Sequence, residues 1–217
     1  VNITGSAPQP GSIKFKGLNG DTLLSLNNDQ TIIGHASPKF FGGFNQQFVY
    51  KNFDMSIFVN FVVGNDIFND NKLEFTGGYT VGANLLSTMN NAWKSVNAQG
   101  QVVTDPTALA ALNKNTTMWT PVTNAAAFYP QSYAVESGSF LRINNITLGY
   151  TLPEKVLSKQ NIITSLRIFA NAQNPITLKK YGGFSSELPG SKTTNAGIEL
   201  GTYPTTRTFA FGVNLGL

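Results

Sequence analysis

The sequence predicts an all-β chain of five long antiparallel strands joined short, very long, short, long: part of the wall of a transmembrane β-barrel, with two long extracellular loops. Three observations carry that reading. Segments of strict two-residue alternation set one wholly apolar face against a small or polar one. Charged residues make up only 12% of the 217, about half the usual share, while Gly numbers 21 and Phe 16. No stretch approaches the roughly 18 to 20 apolar residues of a membrane-spanning helix, which leaves strands as the only way across a bilayer.

The first strand is read over Ser37 to Lys51, with Phe40, Gly42, Phe44, Phe48 and Tyr50 on one side, Gln46 among them, and Gly43, Asn45, Gln47 and Lys51 on the other. A tight hairpin at Lys51-Asn52 leads into the second, Asn52 to Phe68, where Phe53, Met55, Ile57, Val59, Phe61 and Val63 form a face with no polar member. Alternation then lapses over residues 69–138, far beyond the usual connection of about four to six residues; a short helix is expected near Ala83 to Val96. The third strand, Ser139 to Pro153, changes phase midway: Leu141 and Ile143 share one parity, Ile146, Leu148 and Tyr150 the other. A β-bulge at Asn144-Asn145 would restore one apolar face. The fourth strand is Ser165 to Leu178. A second long loop, 179–206, precedes the terminal strand, in which Phe209, Phe211, Val213, Leu215 and Leu217 oppose Ala210, Gly212, Asn214 and Gly216.

Alternating short and long connections match a barrel with brief periplasmic turns and extended outer loops, the C-terminus lying on the periplasmic side. A cation on the lipid face costs roughly 2 to 4 kcal/mol at the bilayer midplane, and Arg142, Arg167 and Arg207 fall at strand ends or on the opposite parity. Five strands cannot close, and an open sheet in lipid would leave two edges of unpaired backbone groups, so the chain is expected to be one part of a larger wall. The opening residues lack Met, a basic region and an apolar core, as a mature or excised piece would.

Basic residues (15) and acidic residues (11) are spread thinly, which argues against a nucleic-acid partner, and the absence of Cys excludes disulfides, thiolate metal sites and Cys nucleophiles. His35 is the sole His, so any triad depends on it; a rim residue is the expected role. Asp66, Asp70, Glu74, Asp105, Glu136 and Glu187 show no paired spacing and read as solvated loop carboxylates, so no enzyme activity or cofactor is expected. Trp93, Trp119 and Tyr129 could stack on a sugar or anchor a lid protein, against the alternative of simply packing the long loop. Asn45 and Gln47, on the polar parity, could touch substrate or only line a wet wall.

The stretch from Gly11 to Asn69, with its "TIIG" step, "PKF-x-x-GFN" strand and "FD-x-S-x-F" strand, resembles a signature of the SusC/RagA family of TonB-dependent outer-membrane transporters. "SFLRINNITLGYTLP", "LRIFANAQNPITL" and "YPTTRTFAFGVNL" resemble its last three strands in their usual order, and "MWTP" (Met118 to Pro121) resembles a loop motif. The resemblance implies a barrel of about 22 strands with an N-terminal plug, of which residues 37–217 would be C-terminal strands and residues 1–36 a preceding extracellular loop segment. It further implies a SusD-like surface lipoprotein as lid, uptake of oligosaccharide or peptide, and energy from TonB acting through an N-terminal part this chain lacks. The family's "D-x-N-G-D-G" loop reads here "GLNGDT", without the first Asp and final Gly; Asn19, Asp21 and Asp29 would be the oxygen donors of a Ca²⁺-like site there. The family usually ends on an aromatic residue, and this chain ends on Leu217. Other readings are a structural fragment without transport activity and a soluble β-sandwich that binds carbohydrate.

Overall fold

A computed structural model describes residues 9–18, 20, 24–25, 28–78, 82–121, 129–158, 162–187 and 196–217. Two compact units emerge, one of Val1–Ile33 with Asn69–Val135 and one of Gly34–Phe68 with Glu136–Leu217.

The second unit is built on one sheet of five strands: β1 (Phe40–Tyr50), β2 (Phe53–Val63), β5 (Phe140–Thr151), β6 (Ser165–Lys179) and β8 (Thr208–Gly216). Their spatial order is their chain order and every neighbouring pair is antiparallel, so this is an up-and-down meander. Two residues turn β1 into β2. Tyr50 pairs with Phe53, and Lys51 adopts φ 53°, the left-handed backbone that a two-residue hairpin demands. The Asn52 amide group donates to the Thr151 carbonyl at 2.8 Å, tying the hairpin to the end of β5.

The expected bulge is present. Phe58 pairs with Asn145 and Val59 with Ile143, so Asn144 is the extra residue, and the apolar side chains of β5 fall on one face despite their change of parity. On the other side Asn145 pairs with Gln173 and Ile143 with Ile176. β6 therefore carries its own extra residues, Asn174 at φ 49° and Pro175, whose missing N–H suits a position outside the ladder.

The registers align the apolar faces across all five strands. Gln46–Ile57–Ile146–Ala172–Phe209 form one cross-strand row and Phe48–Met55–Leu148–Ala170–Phe211 the next. Gln46 is the polar member of this face and donates to the Gln47 carbonyl. The face is not covered: Phe211 is 85% exposed, and Phe44, Phe48, Ile168 and Leu178 are exposed as well. That disposes of a sandwich, in which this face would pack on a second sheet. Aromatic pairs bound it at both ends, Phe53 with Tyr150 (centroids 4.7 Å) at the hairpin end and Phe40 with Phe61 (6.2 Å) at the loop end. From Phe40 to Tyr50 the strand runs about 33 Å, which at a tilt near 40° gives a band about 25 Å tall, the height of the apolar belt of an outer-membrane barrel.

Beyond Gly64, at φ 84°, the chain continues into β3 (Asp66–Asn69), flanked by β4 (Val135–Ser137) and β7 (Ile198–Glu199) in a small second sheet. The expected second strand thus breaks at Gly64-Asn65. Between β5 and β6 lies a short helix, α3 (Glu154–Leu157), with Leu157 buried.

In the first unit, α1 (Asp70–Gly77) starts on Asn69, whose side chain accepts from the Lys72 amide. The helix expected near Ala83 to Val96 is only a 3-10 turn at Ser87–Asn91. A further α-helix, α2 (Pro106–Leu112), sits where Asp105 caps the Ala108 amide at 2.8 Å and Pro106 opens the first turn.

Candidate functional site: a polar wall and its buried turn

The face opposite the apolar one is hydrogen-bonded across strands. Asn171 donates to Asn145 (3.1 Å) and Thr147 (2.8 Å), and the Thr147 hydroxyl donates to Asn145 (3.0 Å), stitching β6 to β5. Near the hairpin end Arg167 of β6 reaches over β5 to Asp54 of β2, donating through Nε (2.9 Å) and Nη2 (2.5 Å) to the two carboxylate oxygens. The strand between supplies Gly149, where a Cβ would fall on both the guanidinium and the carboxylate. Here glycine is required by a close approach, not by backbone conformation.

At the loop end the turn after β6 folds back on this wall. Arg142, 2% exposed, donates from Nε to Thr177 at 3.2 Å and from Nη1 to the Glu187 carboxylate. Lys179 donates to the Gly183 and Phe184 carbonyls, and the Gly182 amide donates to Glu136 at 2.7 Å. The Tyr181 hydroxyl donates to Glu199, which is fully buried. Burial pushes the Glu199 carboxyl up from its ordinary value, against the backbone amides of Phe184 and Ser185 and the Lys179 charge, which favour the ionised form; Glu136 adds to the rise. The folded chain thus holds this proton more tightly than the unfolded one. Its support for the turn is complete below the ordinary carboxyl range and is lost as pH rises through the folded-state value. Glu199→Gln, which still accepts from Tyr181, is expected to remove that dependence: protection of the turn's backbone amides from hydrogen exchange should change less with rising pH than in the unaltered chain.

Asn45 and Gln47 lie exposed on the polar parity of β1, Asn45 accepting from Ser56 at 3.4 Å. In the first unit Trp119 donates from its indole N–H to the Thr76 carbonyl (2.9 Å) and meets Tyr133 edge-on at 4.7 Å. Trp93 packs its ring over Gly11, which has φ 88°. Tyr129 lines a cavity of about 650 Å³ with Phe15, Leu18 and Ile33. The segments of Trp93 and Trp119 lie side by side, the Trp93 amide donating to the Met118 carbonyl at 3.0 Å, and among the described residues no ring pair joins Trp93, Trp119 and Tyr129. Asn19 and Asp21 lie outside the described residues. Asp29 accepts from the Leu18 and Ser25 amides, both at 2.7 Å, and so shapes its own loop. His35 is exposed; its amide donates to the Asp66 carboxylate and its carbonyl accepts from the Asp66 amide.

Glu187 corrects the expectation of solvated loop carboxylates, since it neutralises a buried arginine. Glu136, Asp66 and Asp105 likewise bind backbone amides. Sequence reasoning also missed Asp54, Tyr181 and Glu199. Arg142 and Arg167 on the polar parity were the available signal, because a cation there needs a counter-charge.

A single five-stranded meander with one continuous apolar face, one cross-linked polar face and edges at β1 and β8 is a wall segment of a transmembrane β-barrel. No protein-family profile matches the chain. It is 34% identical over 212 residues to TonB-dependent receptor P3 of Formosa agariphila, covering 95% of this chain and 19% of that protein, and 28% identical over 201 residues to TonB-dependent receptor SusC of Bacteroides thetaiotaomicron. The fold matches the RagAB peptide transporter with a TM-score of 0.68 at 21% identity over 90% of this chain and 19% of that one, and the closed-closed RagAB peptide importer with 0.67 at 22% over 95% and 20%. The chain is a C-terminal barrel segment of the SusC/RagA kind of TonB-dependent receptor. It spans about a fifth of the length of the curated relatives it matches.

Proposed function

We propose that this chain builds part of the barrel wall of an outer-membrane nutrient importer that takes up oligosaccharide or peptide. The observation that carries the proposal is the pairing of an uncovered apolar face with a hydrogen-bonded polar face on the same five strands, in a sequence homologous to TonB-dependent receptors. The apolar face meets outer-membrane lipid and the polar face lines the lumen. β1 and β8 pair with the remaining barrel strands, the hairpin end and the C-terminus face the periplasm, and residues 69–138 and 179–206 are outer loops. The rest of the barrel and its plug, a SusD-like lipoprotein lid, and TonB acting through the N-terminal part are the partners; the chain itself performs no covalent chemistry. Asn45 and Gln47 border the lumen, and Trp93, Trp119 and Tyr129 shape the outer loops that cargo or lid would meet.

Absence of Cys makes the test direct. In an otherwise Cys-free whole receptor in vesicles, Phe211→Cys is expected to resist a charged maleimide and Asn171→Cys to react with it. Equal labelling of the two positions by the charged reagent would remove the lipid face and the importer with it.

A further inference from the structure

The Arg142–Glu187 pair is built asymmetrically. The guanidinium belongs to the wall: Thr177, opposite Arg142 in register, accepts from its Nε, and its carbon lies 5.2 Å from the Phe140 ring centroid. The carboxylate belongs to the turn after β6, and the Glu187 side chain is 50% exposed against 3% for that of Arg142. Ser185 shapes the turn, its hydroxyl accepting from the Glu187 amide and donating to the Glu187 carbonyl. Asn60, directly opposite Arg142 on β2, holds a buried Oδ1 without a partner among the described residues.

A buried guanidinium stripped of its counter-ion is strongly penalised, so Glu187 leaves at low cost only when another carboxylate takes its place. Exchanging one carboxylate for another preserves the charge-assisted hydrogen bond and must overcome only the local concentration of the tethered side chain.

We propose that Arg142 is a carboxylate-binding site of the polar wall, kept occupied by the chain's own Glu187 and opened when the carboxylate of an incoming solute replaces it. Asn60 Oδ1 then accepts a hydroxyl or amide proton of the same solute. The carboxylate could belong to a uronic-acid oligosaccharide or to an acidic peptide. Calling that solute cargo rests on the importer reading, whose own failure would show in the labelling of Phe211→Cys, a position remote from this pair.

The test uses the whole receptor in detergent and calorimetric binding of four probes: a tetragalacturonate, its carboxyl-reduced counterpart, an acidic tetrapeptide and its side-chain amide. Glu187→Gln is expected to bind a carboxylated probe at least tenfold more tightly than the unaltered receptor, with no gain for the neutral counterpart; which of the two acidic probes gains identifies the source. Adding Arg142→Gln should erase the gain. Arg142→Lys, which keeps the charge and disturbs the fold less, should reduce it below threefold. If neither acidic probe gains from Glu187→Gln, or the gain persists undiminished in the Arg142→Lys background, the site does not exist.

Discussion

Replacing Ile146 by Arg is expected to cost the assembled barrel about 2 to 4 kcal/mol. Ile146 sits mid-strand on the apolar face, paired with Ile57 on one side and Ala172 on the other, as far from both aromatic ends as this sheet allows. An Arg there must hold its charge in hydrocarbon or snorkel past Leu148 and Tyr150. Ser56→Arg, one residue from the neighbouring Ile57 and on the polar face, is the matched control and should cost under about 1 kcal/mol, because water hydrates it. Unfolding of the whole receptor from lipid vesicles in guanidinium measures both. Equal costs at the two positions would mean that the two faces do not see different solvents.

The same contrast explains what could be read in advance. Strand faces were legible because alternation is a local property: β8 reads from Phe209 to Leu217 without a slip, and the parity change between Ile143 and Ile146 put the bulge at Asn144-Asn145, where the register makes Asn144 the extra residue. The helix in the long loop was misplaced for an equally local reason. "TDPTALAAL" carries an Asp cap, a Pro opening and good helix formers, start signals that the stretch from Ala83 to Val96 lacks. The polar wall was half legible. Parity put Arg142 and Arg167 on it, but their partners lie at long separation: Asp54 is 113 residues from Arg167 and Glu187 is 45 from Arg142. No periodicity encodes such pairings; they follow from register and from the way the turn after β6 folds back. Glu199 was invisible for the same reason, since burial of a carboxylate in a two-residue strand is a tertiary fact.

Gly149→Val is expected to destabilise the barrel by about 2 kcal/mol, although valine is a far better strand residue than glycine. The loss is electrostatic in origin. Asp54 and Arg167 sit two strands apart and meet only because the strand between them has no side chain at Gly149. A Cβ there displaces the guanidinium, the softer of the two neighbours, and ends a bidentate, part-buried pair that water reaches only in part. The effect should be sharply non-additive in combination. With Asp54→Asn and Arg167→Gln already in place there is no ion pair to break, so Gly149→Val should become neutral or stabilising, a non-additivity of at least about 1 kcal/mol. If Gly149→Val costs the same in both backgrounds, the glycine serves backbone geometry alone. The pair would then be a by-product of strand register and not one of the contacts that hold β2, β5 and β6 in a single wall.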